Sequence, residues 1–378
     1  MVGLLALAGA AGCGGSDTPT ATPTTPSSPS TTMTPSPTPS PTPGSQLTGP
    51  TVVVVRELSD GSRVLVAYDL DDGTTRQLTT LEGDCHPAVD ATGTSVVVAH
   101  ITTPDGASCA RGAYLDTVGT SHLVLIDLTT GERRALTKPR DHVMDLWPAW
   151  NRVGDGWVYF KRGDSNAHTS GLWRVDPSTG EVEELLHEGM AWARFALEPG
   201  GGSIWVSSPP CWFDEAIPCD ESSVNEAAAP AQYTRLDLTT GSISLHPFDP
   251  GEARIDDVAW TPDGAWFAYT RIEDPHPRTA KLLITRWPDG TPRTLLTLPP
   301  DEGATTTWHQ LNQVGWHPDG SVVVLQDMVL SQKTAEPSSF QEPEERILLV
   351  DTADGSTTPI GPPSVQDLSF DVWSPPDD

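Results

Sequence analysis

Six side chains of unlike chemistry recur at one point of a repeated pattern: His86, Trp147, Arg194, Asp257, Gln313 and Phe370. Each stands three residues before a Trp, or before the residue that replaces it, near the end of an apolar run. An imidazole, a guanidinium, a carboxylate, an amide and two aromatic rings at one level of a symmetric ring could hold a small polar ligand. His86 and Asp257 also form the pair in this set with acid–base capacity. Asp256, Trp192 and His309 lie close by in sequence and share that status.

The elements that must position these residues are strands. The stretch Leu123-Val124-Leu125-Ile126-Asp127-Leu128-Thr129-Thr130-Gly131-Glu132-Arg133-Arg134-Ala135-Leu136 reads as strand, Gly-containing turn and strand. Its Val/Ile-rich run suits a strand, and its Gly supplies the positive φ that a two-residue hairpin needs. Near-copies have turns at Asp71-Asp72-Gly73, Ser178-Thr179-Gly180, Thr239-Thr240-Gly241, Pro288-Asp289-Gly290 and Ala353-Asp354-Gly355. Before each hairpin runs another apolar pair, as in Val258-Ala259-Trp260-Thr261-Pro262-Asp263-Gly264 into Trp266-Phe267-Ala268-Tyr269. One repeat is thus four antiparallel strands, and four-stranded units arranged radially make a β-propeller. The last repeat stops after Leu368-Ser369-Phe370-Asp371-Val372-Trp373-Ser374-Pro375, before its second strand. Thr51-Val52-Val53-Val54-Val55 is expected to supply that strand and close six blades.

Trp-Thr-Pro-Asp-Gly (260–264), Trp-His-Pro-Asp-Gly (316–320) and Asp145-Leu146-Trp147-Pro148-Ala149-Trp150 resemble the repeat of TolB-type six-bladed propellers. The resemblance covers residues 51–378. It implies that the Trp wedges between blades and that Asp-Gly makes the turn; it implies no particular function. The periplasmic protein that gives the family its name has an additional N-terminal α/β domain, where this chain has an apolar segment and a stalk.

That apolar segment, residues 1–12, is too short for a bilayer span, which takes about 20 residues. It has the length of a signal-peptide core, and Ala10-Ala11-Gly12 before Cys13 resembles a bacterial lipobox, which implies lipidation of Cys13. A plain signal peptide with an incidental Cys is the other reading. Residues 13–50 are dominated by Thr, Pro and Ser and cannot bury enough apolar surface to order themselves, so they read as an extended tether. Membrane attachment is then expected through the lipid alone, on the extracytoplasmic side.

With 22 Lys+Arg against 51 Asp+Glu, the formal net charge of -29 repels nucleic acid and anionic lipid. In an exported chain disulfides are the default, with Cys211–Cys219 a local clasp and Cys85–Cys109 a pairing across one blade. No Cys spacing suggests zinc, and the acidic turns at 69–73 and 351–355 lack the Glu that completes a calcium loop, so no metal or cofactor is expected. Of the 13 Trp, only Trp147, Trp192, Trp212 and Trp308 fall where a ligand is expected to meet them. Trp150, Trp260, Trp316 and Trp373 hold the core position of the repeat, and Trp157, Trp173, Trp205 and Trp266 read as strand residues.

Long insertions at 101–121, 208–232, 271–280 and 327–346 all follow the second strand of a blade. They should therefore share one face, the one where inner strands begin, and loops on a rigid scaffold are where binding residues concentrate. No G-x-S-x-G, H-E-x-x-H or phosphate-binding Gly loop is present. The sequence reads as a lipid-anchored, monomeric propeller that binds an envelope protein or a wall glycan or peptide. The alternative is an extracellular hydrolase or lyase working at the channel mouth, and a water-filled channel lined by polar residues would need no ligand at all.

Overall fold

The computed structural model describes residues 46–58, 60, 62–102, 120–164, 169–187, 195–207, 233–245, 254–273, 279–287, 290–300, 305–333, 344–361 and 369–375. Among them there is no helix. The strands run in chain order as β1 (Thr51–Glu57), β2 (Arg63–Asp69) and β3 (Thr75–Leu81), then five complete blades. These are β4 (Asp84–Val89), β5 (Ser95–Thr102), β6 (Thr120–Asp127) and β7 (Arg133–Ala135); β8 (Val143–Trp150), β9 (Val158–Asp164), β10 (Thr169–Val175) and β11 (Val182–Leu186); β12 (Phe195–Leu197), β13 (Ser203–Ser207), β14 (Tyr233–Asp237) and β15 (Ile243–Leu245). They continue with β16 (Arg254–Trp260), β17 (Trp266–Glu273), β18 (Thr279–Arg286) and β19 (Arg293–Leu298), then β20 (Thr305–Trp316), β21 (Val322–Lys333), β22 (Glu344–Asp351) and β23 (Thr357–Pro359). The last strand, β24 (Ser369–Trp373), pairs antiparallel with β1 from Val55↔Ser369 to Thr51↔Trp373. The sixth sheet is therefore β24-β1-β2-β3, and all six sheets have four antiparallel strands. The molecule is a six-bladed β-propeller. The N-terminal part supplies three strands of the closing blade, of which β1 is the one that meets the C-terminal strand.

The turns between third and fourth strands differ from the expected two-residue type. The amides of Gly73, Gly131, Gly180, Gly241 and Gly355 bond the carbonyls of Asp69, Asp127, Asp176, Asp237 and Asp351, four residues back, at 2.8–3.0 Å. The Asp side chain explains the wider loop. In Asp127, Oδ1 accepts the N–H groups of Thr129 and Thr130 at 2.7 and 2.9 Å, an Asx turn that sets the first bends before Gly131 takes φ 75°. Hydroxyl bonds from Thr129 and Ser178 hold the Asp127 and Asp176 carboxyls below their ordinary range. The acidic turns at 69–73 and 351–355 are built the same way, with Asp69 and Asp351 capping their own loops.

The cores lie between blades. Among the described residues six apolar clusters form, each joining neighbouring sheets: Val53, Val55 and Leu65 of the closing blade meet Val89, Val96 and Val98, and Tyr159 and Leu172 meet Ile204 and Leu236. Trp260 and Trp316 fill the third-to-fourth and fourth-to-fifth interfaces as the core role of these Trp requires. Trp205, Trp173 and Trp266 lie in strands as expected, while Trp157 stands one residue before β9. The packed body begins inside the expected stalk. Leu47 is buried beside Trp373, and its N–H bonds the Gly93 carbonyl at 3.1 Å. Gly93 has φ 65°, and a Cβ there would stand 2.6 Å from the Trp373 ring, so only glycine fits this seam.

Inner strands begin where second strands end, as the pairs Asp84↔His100, Arg254↔Ile272 and Thr305↔Lys333 show. The insertions after second strands thus leave from the face where inner strands start. Regular strand extends into the expected insertion at 327–346, since β21 runs to Lys333 and β22 starts at Glu344. Residues 103–119, 208–232, 274–278 and 334–343 lie outside the described residues, and Cys109, Cys211 and Cys219 with them. Cys13 and residues 1–45 also lie outside. Cys85 is fully buried and is not a free thiol.

Candidate functional site

Inner strands β4, β8, β16 and β20 each carry a β-bulge at one level, between Cys85 and Ala88, Leu146 and Ala149, Ile255 and Val258, and Leu311 and Gln313. Bulges re-aim side chains, and the predicted ring residues fall in or beside them. In β4 and β8 the bulged residue precedes a proline, Pro87 or Pro148. The usual near-αR bulge conformation is sterically disfavoured before proline. His86 and Trp147 adopt φ 49° and 50° instead, a left-handed backbone that costs a non-glycine residue about 1–3 kcal/mol. Only three non-glycine residues among those described have positive φ, and two of them are these.

The strained pair converges. The His86 and Trp147 rings stand 5.9 Å apart between centroids, at 68°, edge to face. Lys161, on β9 and only 3 % exposed, places its ammonium 4.8 Å from the Trp147 ring centroid, within cation–π range. The His86 N–H donates to Ser369 Oγ at 2.9 Å, which ties the group to the closing blade. Both rings are half-buried. A polarised indole, an imidazole edge and a buried ammonium at one inner-strand level can recognise a ligand with a flat apolar face and hydrogen-bonding substituents.

The other predicted members behave differently. Asp257 Oδ2 accepts the Val314 N–H at 2.9 Å. Gln313 binds the next blade twice, accepting the Phe370 N–H at 3.2 Å and donating to the Phe370 carbonyl at 2.5 Å. Each of these side chains joins its inner strand to the following one. Phe370 itself is 2 % exposed, packed among Val52, Val54, Val324 and Ile347 between the fifth and sixth blades, so its side chain is core and not ring. The cause is a one-residue offset in the last repeat. Val372, not Trp373, packs toward the preceding blade, and Ser369 stands at the ring position. Arg194 and Trp192 lie outside the described residues, as do the side chains of Asp256 and Trp308. His86 and Asp257 stand on the first and fourth blades, on opposite sides of a six-bladed ring. That placement offers no direct acid–base pair.

One prediction follows from this division. Asp257→Ala leaves the Val314 amide without its acceptor and should cost about 1–3 kcal/mol. His86→Ala removes a half-buried ring, leaves the left-handed backbone as strained as before, and should leave the unfolding midpoint nearly unchanged. Urea unfolding of the two variants separates them; equal losses would contradict the assignment.

Ionic groups, of which sequence reasoning singled out only His309, line the same end of the blades. Asp84 is fully buried; it accepts from His100 Nδ1 at 2.9 Å, from Arg133 at 2.8 and 2.7 Å and from the Glu82 N–H at 2.9 Å. Burial pushes its carboxyl up, but these bonds outweigh burial and hold it below the ordinary range. Asp145 is gripped by Arg162 at 2.6 and 2.8 Å and by the Thr137 hydroxyl at 2.5 Å. His309 bonds the buried Asp327 at 2.9 Å, and Arg346 completes that group at 2.5 Å. The signal for Asp84 was present in the sequence as a carboxylate in an apolar strand, but its partners come from the second and fourth strands, which no local pattern connects. Among the described residues no group of three or more His, Cys, Asp or Glu is placed to hold a metal.

These features define a closed six-bladed propeller whose inner-strand ring is partly a structural seam and partly a strained aromatic–cationic group. No protein-family model matches the sequence, and no curated protein matches it. In structure the chain is similar to TolB from Acinetobacter baumannii, with TM-score 0.56 and 16 % identity over 86 % of this chain and 66 % of that one. It is also similar to a TolB-assigned protein from Agrobacterium tumefaciens, with TM-score 0.51 and 11 % identity over 87 % of this chain and all of that one. At such identities the likeness establishes the propeller fold and no ligand.

Proposed function

We propose that this chain is an exported binding module, anchored by a lipid on Cys13 and carried on the stalk that follows, whose propeller recognises an envelope protein or a wall glycan or peptide. Residues 1–12 would be the signal peptide. Disulfides Cys85–Cys109 and Cys211–Cys219 would fix the inserted face, which suits an oxidising location. The observation that carries the reading is the adjacent left-handed pair His86 and Trp147. Backbone strain at two neighbouring residues is retained where a site needs it, and here it aims two rings and sets Trp147 against the Lys161 ammonium. Arg194, which the repeat pattern assigns to the corresponding sequence position, would add a second cation. Asp257, Gln313 and Ser369 would serve as its frame.

The test is a thermal-shift screen of the purified chain against wall fragments, oligosaccharides, peptides and calcium. A ligand that binds only the folded state at about a hundred times its Kd stabilises by about 2.7 kcal/mol. A glycan or peptide is expected to raise the melting temperature, and Trp147→Ala should abolish the rise. A rise that survives Trp147→Ala and His86→Ala would place the site elsewhere on the propeller.

A further inference from the structure

We propose that His122, set ring to ring against His100, makes the contact between the first and sixth blades a pH-sensitive latch, shut while the His122 ring is neutral and loosened when it gains a proton. The two residues are cross-strand partners on β5 and β6. Their rings lie 5.1 Å apart at 70°. Residues two and four further along the same strand faces, Val98, Val96, Val124 and Ile126, pack in one cluster with Val53, Val55, Leu65 and Trp373 of the closing blade. The histidines therefore face the interface where the N- and C-terminal strands complete the ring.

The groups around the pair make a proton on His122 costly. From the inner strand of its own blade Asp84 faces it, already bonded by His100, Arg133 and the Glu82 amide. On the sixth blade Arg63 and Glu57 close the same end, paired at 3.5 Å, with the Arg63 guanidinium 3.8 Å from Cys85 Sγ. From the second blade comes Asp145, held by Arg162. The carboxylates are thus committed to guanidinium groups. His100 has Asp84 as its partner, whereas His122 Nδ1 is buried with no hydrogen-bond partner. Burial first, and then the neighbouring His100, hold the His122 imidazole below its ordinary value of 6.5. The open state binds more protons than the closed one, so seam stability is fully present above about pH 6.5 and is lost as pH falls below that toward the lower value of the folded state. Asp84, held low, keeps its charge over the same interval.

Hydrogen exchange of the whole chain at pH 7.5 and 5.0, corrected for intrinsic rates, tests the latch. Protection should be lost at pH 5.0 in β1–β2 and β4–β6, while β16–β19 on the far side keeps its own. His122→Gln should remove the pH dependence of the seam, and His122→Asn serves the same purpose if the first variant does not fold. Loss spread evenly over all blades, or a seam that still loosens in either folded variant, would overturn the proposal.

Discussion

A chain ending before residue 369 should lose its cooperative melting transition, and a peptide of residues 367–376 added in trans should restore it. β24 is the inner strand of the closing blade and carries Phe370 and Trp373, 2 % and 1 % exposed. Burying side chains of this size is worth about 1.5–3 kcal/mol or more each. The strand also receives the clasp of Gln313, the His86 amide on Ser369 and the Val89 amide on Asp371 at 2.7 Å. Those terms together rival the whole stability of a domain, about 5–15 kcal/mol. Its removal would leave β1, with Val52–Val55 in a row, as an open apolar edge, the kind of strand that pairs with other chains. Calorimetry and light scattering should show a broad transition and association, both reversed by the peptide and not by a scrambled copy. A truncated chain that melts like the intact one would refute a ring held shut by this strand.

The closure was legible because it depends on pattern. Thr51–Val55 and Leu368–Pro375 are each half of a repeat, and a propeller has one place for both halves. What the pattern could not supply was register. The Trp-x-Pro sequence at Trp373 imitates Trp260-Thr261-Pro262, yet here the Trp side chain turns toward the first blade, where Gly93 leaves room for it. A shift of one residue in a strand exchanges its faces, so Phe370 became core and Ser369 took the ring position. The expected ring of six therefore divides according to contacts that lie far apart in sequence. Asp257 and Gln313 reach backbone groups 57 residues on, and sequence identity alone does not distinguish such a clasp from a ligand contact. Trp147 is the opposite case. Its type suggested a ligand contact, and the bulge before Pro148 places it beside His86 and Lys161.

Arg152→Met should destabilise the protein by about 2–4 kcal/mol, below the upper range for a broken buried ion pair because water still reaches both partners. Arg152 belongs to a turn of the second blade, but its guanidinium serves two others. Nε donates to the Val89 carbonyl at 2.8 Å, Nη1 to the Val372 carbonyl at 2.7 Å and Nη2 to the Asp371 carboxylate. One planar fork thus joins the second blade to the inner strands of the first and the sixth, a geometry that an ammonium cannot reproduce. The side chains of Arg152 and Asp371 are 24 % and 23 % exposed. Burial pushes the Asp371 carboxyl above its ordinary value, and Arg152 pulls it back. Without the arginine that carboxyl must rise further. A raised carboxyl pKa in the folded state means that folding takes up protons, so the deficit of the variant should be small near pH 4 and should grow as pH rises toward neutral. Adding Asp371→Asn removes the stranded charge while an amide oxygen still accepts the Val89 N–H. The double variant should recover at least half of the loss at pH 7.5 and lose the pH dependence. Urea midpoints of the two variants relative to wild type at pH 4.5 and 7.5 decide the matter. If the two substitutions simply add, Arg152 acts by packing its own turn, and the closing blade is held by β24 pairing and Trp373 burial without an ionic bridge across three blades.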